Sequence, residues 1–153
     1  MFAGFDYGTS NCAVGVTKNN AGGRTVELLP LEGENQYMPS ALYSLSRELI
    51  SESVGLNIHN QPQREAYINL RSGALEQARR VRREESIQDS ERCIFVGNEA
   101  FEQYFDMPSE GYFVKSPKSF LGASGLRPEY IYLFEDIVTA MMQDVKQRAE
   151  RSL

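Results

Sequence analysis

The most chemically suggestive stretch of the sequence lies near its start, at Asp6-Tyr7-Gly8-Thr9-Ser10-Asn11. A glycine in a tight turn lets successive backbone N–H groups face one concavity, which forms a binding site for an anion. Thr9, Ser10 and Asn11 add short hydrogen-bonding side chains that leave a phosphate room to approach the backbone. Asp6 could hold magnesium, directly or through its water shell, because Mg²⁺ prefers a few carboxylates together with water and phosphate oxygens. The stretch therefore fits a phosphate-binding loop.

The same residues also fit a plain hairpin in which Asp6 bonds to its own turn, and spacing alone leaves both interpretations open. The sequence has few residues that could form other kinds of site. His59 is the single histidine and there is no CxxC pair, which argues against a zinc site or a Ser-His-Asp triad. Cys12 and Cys93 lie in apolar runs, where a free cysteine behaves as a small buried hydrophobe.

The strands that position this stretch are indicated by apolar runs separated by turn residues. Residues 1–7, 12–17 and 24–31 are rich in apolar side chains, and the segments between them are rich in glycine and asparagine. This pattern predicts a meander of three antiparallel strands in the first thirty or so residues. Pro39 is expected at the edge or the beginning of a further short strand.

Helices are indicated by apolar residues that recur every three or four positions. Residues 61–86 show this spacing and predict one continuous helix, and Asn98 predicts the cap of a short helix. Arg127-Pro128-Glu129 is a start signal for a long amphipathic helix that continues to the end of the chain. Met141 and Met142 of this helix are both expected in the core.

Four arginines between positions 79 and 83 form the strongest local concentration of charge. They could bind phosphates or nucleic acid, or they could be the solvated face of a helix on which Arg80 and Glu84 form an i,i+4 pair. The adjacent acids and the net charge of −5 favour the solvated face. We therefore expect no nucleic-acid partner.

The composition is that of an ordinary globular protein, with 41% hydrophobic and 24% charged residues among 153. No run approaches eighteen apolar residues and the N-terminus lacks the basic and apolar regions of a signal peptide. We expect a cytoplasmic protein with no membrane partner.

Several segments together resemble one family. Asp6 to Asn11 resembles the first phosphate-binding loop, Asp-x-Gly-Thr-Thr/Ser-Asn, of the actin-like ATPases and specifically of the seventy-kilodalton heat-shock chaperones of DnaK type. Four further segments resemble that family, although the long arginine-rich helix departs from its pattern. They are Met38-Pro39-Ser40, FVGNEA at 95–100, KSFLG at 118–122 and LRPE at 126–129. Residues 114–125 look closest to the divergent YegD-type branch.

The resemblance implies an α/β fold, α+β within this chain, that corresponds to the first lobe of an actin-like, ribonuclease H-like ATPase. Residues 1–37 would be the β-meander with its phosphate loop, and 38–117 an inserted accessory subdomain. Residues 118–153 would be the lysine loop and a returning long helix. Because the family's second phosphate loop and peptide-binding domain are absent, we expect an N-terminal fragment that has no ATPase activity alone.

The resemblance also implies roles for individual residues. Asp6 would organise the water shell of Mg²⁺, and the loop would contact the β- and γ-phosphates of ATP. Lys118 would be catalytic, placing its charge beside the γ-phosphate and the attacking water. Lys115 is a competing candidate, but Lys118 alone heads the Lys-x-x-Leu-Gly pattern. The residues implied in phosphate binding are Gly8, Thr9, Ser10 and Asn11.

The implied function is that of a chaperone ATPase, with ATP or ADP and Mg²⁺ as ligands and with unfolded peptides or co-chaperones as partners. Two alternatives stay open. The chain could be a non-enzymatic interaction module that docks through residues 61–86 and keeps a relic phosphate loop. It could also belong to a sugar kinase of the same superfamily, which opens with a similar loop, although KSFLG favours the chaperone branch.

Overall fold

The beginning of the chain folds as the predicted antiparallel meander. In the computed structural model, which describes residues 1–153, its strands are β1 (Ala3–Tyr7), β2 (Asn11–Asn20) and β3 (Gly23–Leu28), paired in the order β1-β2-β3. β2 extends beyond the predicted strand because only Ala21 and Gly22 form the turn that follows it. A two-residue strand, β4 (Met38–Pro39), pairs with the start of β2, which places Pro39 opposite Asn11.

A second antiparallel sheet of three strands lies next along the chain. Its central strand is β5 (Ala41–Ser44), which pairs with β6 (Ile94–Val96) on one side and β7 (Tyr112–Lys115) on the other. All four residues of β5 are buried. With no parallel strands in either sheet, the chain is a mixed α+β protein.

Five α-helices and one short 3₁₀ helix complete the structure. The first, α1 (Glu48–Leu56), was not predicted, yet it buries Leu49, Ile50 and Val54. It is only nine residues long and Arg47 gives it no side-chain cap, so the sequence carries no start signal there. The others are α2 (Gln61–Leu70), α3 (Ser72–Glu84), α4 (Asn98–Asp106), the 3₁₀ helix (Pro117–Phe120) and α5 (Pro128–Arg151).

The prediction of one helix over residues 61–86 is wrong, because the helix breaks at Arg71. The backbone there has φ −106° and ψ 18°, and the Arg71 side chain is buried against Asp136. Of the predicted apolar stripe, only Ala78 is buried, and Leu70 is 63% exposed. The break therefore coincides with a buried ion pair to a distant helix, which the apolar spacing alone did not show.

The start of α4 also differs from the prediction. Gly97, with φ 73°, is the cap residue, and Asn98 is the first residue of the helix. The Asn98 N–H donates to Oε1 of Glu32 at 3.1 Å, so a distant carboxylate supplies the acceptor that a capping side chain would provide. A Cβ at Gly97 would lie 1.8 Å from that Glu32 oxygen, which explains the glycine.

The main core combines residues from both sheets with α1 and α5. On α5 the predicted start at Arg127-Pro128-Glu129 is confirmed and Met141 is fully buried, but Met142 is 44% exposed, against expectation. Neither β1 nor β3 contains a buried residue. The accessible surface of 9505 Å² accordingly exceeds the roughly 7,800 Å² typical of this mass. No helix in the chain combines the length and apolar character needed to cross a bilayer.

Candidate functional site

The loop between β1 and β2 is a tight hairpin that requires a glycine at its first position. The Gly8 N–H donates to the Asn11 carbonyl at 3.0 Å. A Cβ built on Gly8 would lie 2.3 Å from that same carbonyl oxygen, well inside van der Waals contact. The close approach of the two backbone segments therefore depends on the missing side chain.

The hairpin leaves its polar groups free at an exposed tip. The backbone N–H groups of Thr9 and Ser10 donate to no other backbone group, and both residues are exposed. Asp6 is exposed at the end of β1 and forms no ion pair or hydrogen bond with its own turn. The plain hairpin in which Asp6 satisfies the turn is thus not the arrangement observed, and the loop offers several unused hydrogen-bond donors beside one carboxylate.

Lys118 reaches this loop from the far end of the chain. Its Nζ donates to the carbonyl of Tyr7 at 2.9 Å, immediately before Gly8. Lys115 lies on β7, is exposed, and pairs through its backbone with Ala41. Of the two lysines considered from the sequence, Lys118 is therefore the one that contacts the hairpin.

The backbone on either side of Lys118 is fixed by packing. Pro117 is fully buried, and the Phe120 ring stacks on Phe134 of α5 with centroids 4.7 Å apart. Ser116 holds the left-handed conformation, with φ 56°, and its N–H donates to the Ser40 carbonyl at 2.8 Å. These contacts anchor residues 116–120, the lysine turn, while the ammonium group of Lys118 stays at the surface.

Cys12 lies beneath the loop and is fully buried. Burial raises the pKa of its thiol, hydrogen bonds from Ser40 and Gly8 lower it, and the charges of Asp6 and Lys118 act in opposite directions. As expected from the sequence, Cys12 and Cys93 are buried and unpaired in a disulfide.

The residues present fit a phosphate ligand better than a metal held by the protein alone. Amide N–H groups, hydroxyls and an ammonium group are donors suited to anionic oxygens. No group of three histidine, cysteine, aspartate or glutamate side chains is placed to hold a metal ion. Asp6 is a lone carboxylate, which suits Mg²⁺ only when water and phosphate oxygens supply the other ligands.

The arginine cluster is only partly the solvated face that was expected. Arg80 and Glu84 form the predicted i,i+4 pair at 2.8 Å, with both side chains more than half exposed. Arg82 instead turns inward, is 10% exposed and pairs with Glu52 of α1 at 2.7 Å. One of the four arginines thus ties α3 to α1 rather than facing solvent.

Three residues with marked roles in the structure were not singled out from the sequence. They are Ser40, which appeared only as part of a motif, and Asp136 and Arg148 of α5. Arg148 pairs with Glu32 at 3.1 Å and donates to two backbone carbonyls from other elements. Asp136 lies next to Ile137 and four residues before Ala140, both buried, and an acid at that spacing from apolar residues is the signal that could have indicated its buried ion pair.

No protein-family model matches the chain, and no solved structure matches it either.

Proposed function

We propose that the hairpin at residues 8–11, with Asp6 and Lys118, binds the phosphates of Mg²⁺-ATP. In this proposal the chain is the N-terminal part of an actin-like ATPase related to the seventy-kilodalton chaperones. The observation that supports it best is the hydrogen bond from Lys118 Nζ to the Tyr7 carbonyl at 2.9 Å. It joins residues 111 positions apart and brings the ammonium group to the residue that immediately precedes the hairpin.

The chemistry that this arrangement offers is positioning and charge stabilisation. Phosphoryl transfer to water requires few covalent steps from the protein, because most of its catalysis comes from orienting the reactants and stabilising charge. Thr9 and Ser10 would donate hydrogen bonds to phosphate oxygens from their backbone and hydroxyl groups. Lys118 would neutralise charge that develops on the transferred group.

Asp6 would take the role of organising magnesium. A bound Mg²⁺ would supply positive charge that neutralises the phosphates. The Asp6 carboxylate is exposed and forms no ion pair, so it is free to accept hydrogen bonds from metal-bound water. Its place on β1, two residues before Gly8, keeps it at the same end of the hairpin.

The observed fold is compatible with this proposal. The opening antiparallel meander and the long C-terminal helix correspond to elements expected of the first lobe of an actin-like ATPase. The chaperone activity, with unfolded peptides or co-chaperones as partners, follows from the resemblance of the motifs and forms part of the proposal.

Lys118→Ala in the intact polypeptide tests the proposal. We expect steady-state ATP hydrolysis to be abolished while nucleotide binding persists, because the lysine acts on the transferred group rather than on the nucleotide as a whole. Lys115→Ala is the matched control, three residues away, and should hydrolyse ATP like the wild type. Wild-type turnover in Lys118→Ala would refute the proposed role.

A further inference from the structure

Ser40, between β4 and β5, is a buried serine whose three polar groups are all engaged. Its side chain is 1% exposed, which is unusual for a serine outside a helix or strand. Burial of a hydroxyl and a peptide unit is costly unless each finds a partner. The partners of Ser40 are therefore informative about what the residue holds in place.

Two of the three groups bind the hairpin. The Ser40 N–H donates to the Ser10 carbonyl at 2.9 Å, and Oγ donates to the Gly8 carbonyl at 2.8 Å. The same Oγ lies 3.4 Å from Sγ of Cys12. Ser40 therefore holds the carbonyls of Gly8 and Ser10, while the N–H groups of Thr9 and Ser10 donate to no backbone carbonyl.

The third group binds the lysine turn. The Ser40 carbonyl accepts a hydrogen bond from the Ser116 N–H at 2.8 Å. Ser116 is one of two non-glycine residues with positive φ, a conformation that persists only where surrounding contacts maintain it. Lys118 follows two residues later and donates back to Tyr7, so the hairpin, Ser40 and the lysine turn form a closed ring of contacts.

We propose that Ser40 is a positioning residue that couples the hairpin at residues 8–11 to Lys118. Through it, the two segments share one buried support, so that a displacement of the hairpin is transmitted to the lysine turn. The catalytic consequence rests on the proposed function, whereas the mechanical coupling between residues 8–11 and 116–120 does not.

Ser40→Ala, compared with Ser44→Ala, tests the coupling in the intact polypeptide. Ser44 is an equally buried serine on β5 whose hydroxyl donates to the Ser46 carbonyl, away from the hairpin. By amide hydrogen exchange, Ser40→Ala should speed exchange of a hydrogen-bonded amide in each segment, Gly8 in 8–11 and Ser116 in 116–120, by about 2- to 12-fold, the net value of one hydrogen bond. Ser44→Ala should leave both segments at their wild-type rates. Faster exchange confined to residues 8–11 would overturn the coupling.

A kinetic measurement on the same variants separates positioning from a general loss of stability. Ser40→Ala should lower kcat for ATP by about 10- to 100-fold, because small misplacements of reacting groups are costly. Ser44→Ala should lower the urea midpoint to a similar degree without that loss of kcat. An equal kcat in the two variants would contradict the positioning role. If the wild type hydrolyses no ATP, the proposed function fails, and the exchange result still decides the coupling.

Discussion

Lys118 and Arg71 show two opposite ways of placing a cation in this molecule. Lys118 is exposed and makes one hydrogen bond, to a backbone carbonyl. Arg71 is 6% exposed, and its guanidinium binds Asp136 and Glu135 and lies over the Tyr132 ring at 4.6 Å. The protein itself neutralises the charge of Arg71, whereas the charge of Lys118 has no carboxylate partner. A cation that the fold has already neutralised holds elements together, and one without a partner is available to an anionic ligand.

The two regions also differ in what surrounds their carboxylates. Asp136 is 2% exposed and accepts hydrogen bonds from Ser51 Oγ at 2.6 Å and from Arg71 Nε at 3.0 Å. Asp6 is exposed and forms no ion pair. Substitutions in the Arg71 region should therefore change stability, and substitutions at the hairpin should change ligand binding.

The largest effect on stability is expected from Asp136→Ala. Removal of this carboxylate leaves the Arg71 guanidinium buried with only the exposed Glu135 as a counter-ion, which should lower the free energy of unfolding by about 3–5 kcal/mol. Urea denaturation measures the change. Glu135→Ala is the matched control, since its side chain is 57% exposed and its pair should contribute less than about 1 kcal/mol. Equal losses in the two variants would contradict the distinction between the buried and the exposed partner.

An intermediate effect is expected from Gly8→Ala, because the new Cβ would meet the Asn11 carbonyl at 2.3 Å and force the hairpin to open. We expect a loss of about 1–3 kcal/mol in stability, as for other overpacked sites, and the proposed function implies weaker nucleotide binding as well. Gly4→Ala on β1, where nothing lies within 4 Å of the new Cβ, should keep wild-type stability and wild-type nucleotide binding. Wild-type nucleotide affinity in Gly8→Ala would show that the hairpin geometry is irrelevant to binding.

The smallest effect concerns the pH dependence of stability and Tyr7, whose hydroxyl donates to Met141 Sδ of α5. Burial, and secondarily the nearby Cys12, raises the pKa of Tyr7 to about 12. The phenol ionises near pH 10 in the unfolded chain. The contribution of the buried Tyr7 to the free energy of unfolding is therefore fully present below about pH 10 and is lost as the pH rises toward 12. Urea midpoints measured across this range should fall less steeply in Tyr7→Phe than in the wild type. The exposed Tyr37→Phe serves as the control, and an identical pH dependence for Tyr7→Phe and the wild type would contradict the burial of this phenol.

The sequence predicted the parts of the fold that depend on local pattern. The meander and the start of α5 follow from turn residues and from proline at the first helical position, and both were found. The break at Arg71 was not predicted, and the buried partner of the Arg71 side chain, Asp136, lies 65 residues away. α1 was missed because it is short and uncapped.

At the site, residue types indicated the hairpin and Lys118 separately, since each belongs to a local motif. Their contact and the role of Ser40 depend on how β4, β5 and the 3₁₀ helix come together, which no local spacing encodes. Tertiary hydrogen bonds therefore supply the part of the site that the sequence alone could not.

The most direct test of the central claim is a titration of this chain with Mg²⁺-pyrophosphate, followed through its backbone amide NMR signals. If the free N–H groups of the hairpin receive phosphate oxygens, the Thr9 and Ser10 amides should shift most at millimolar ligand, and Lys118→Ala should weaken the response. The largest shifts at the exposed arginines 79 and 83, or no shift at Thr9 and Ser10, would contradict the claim.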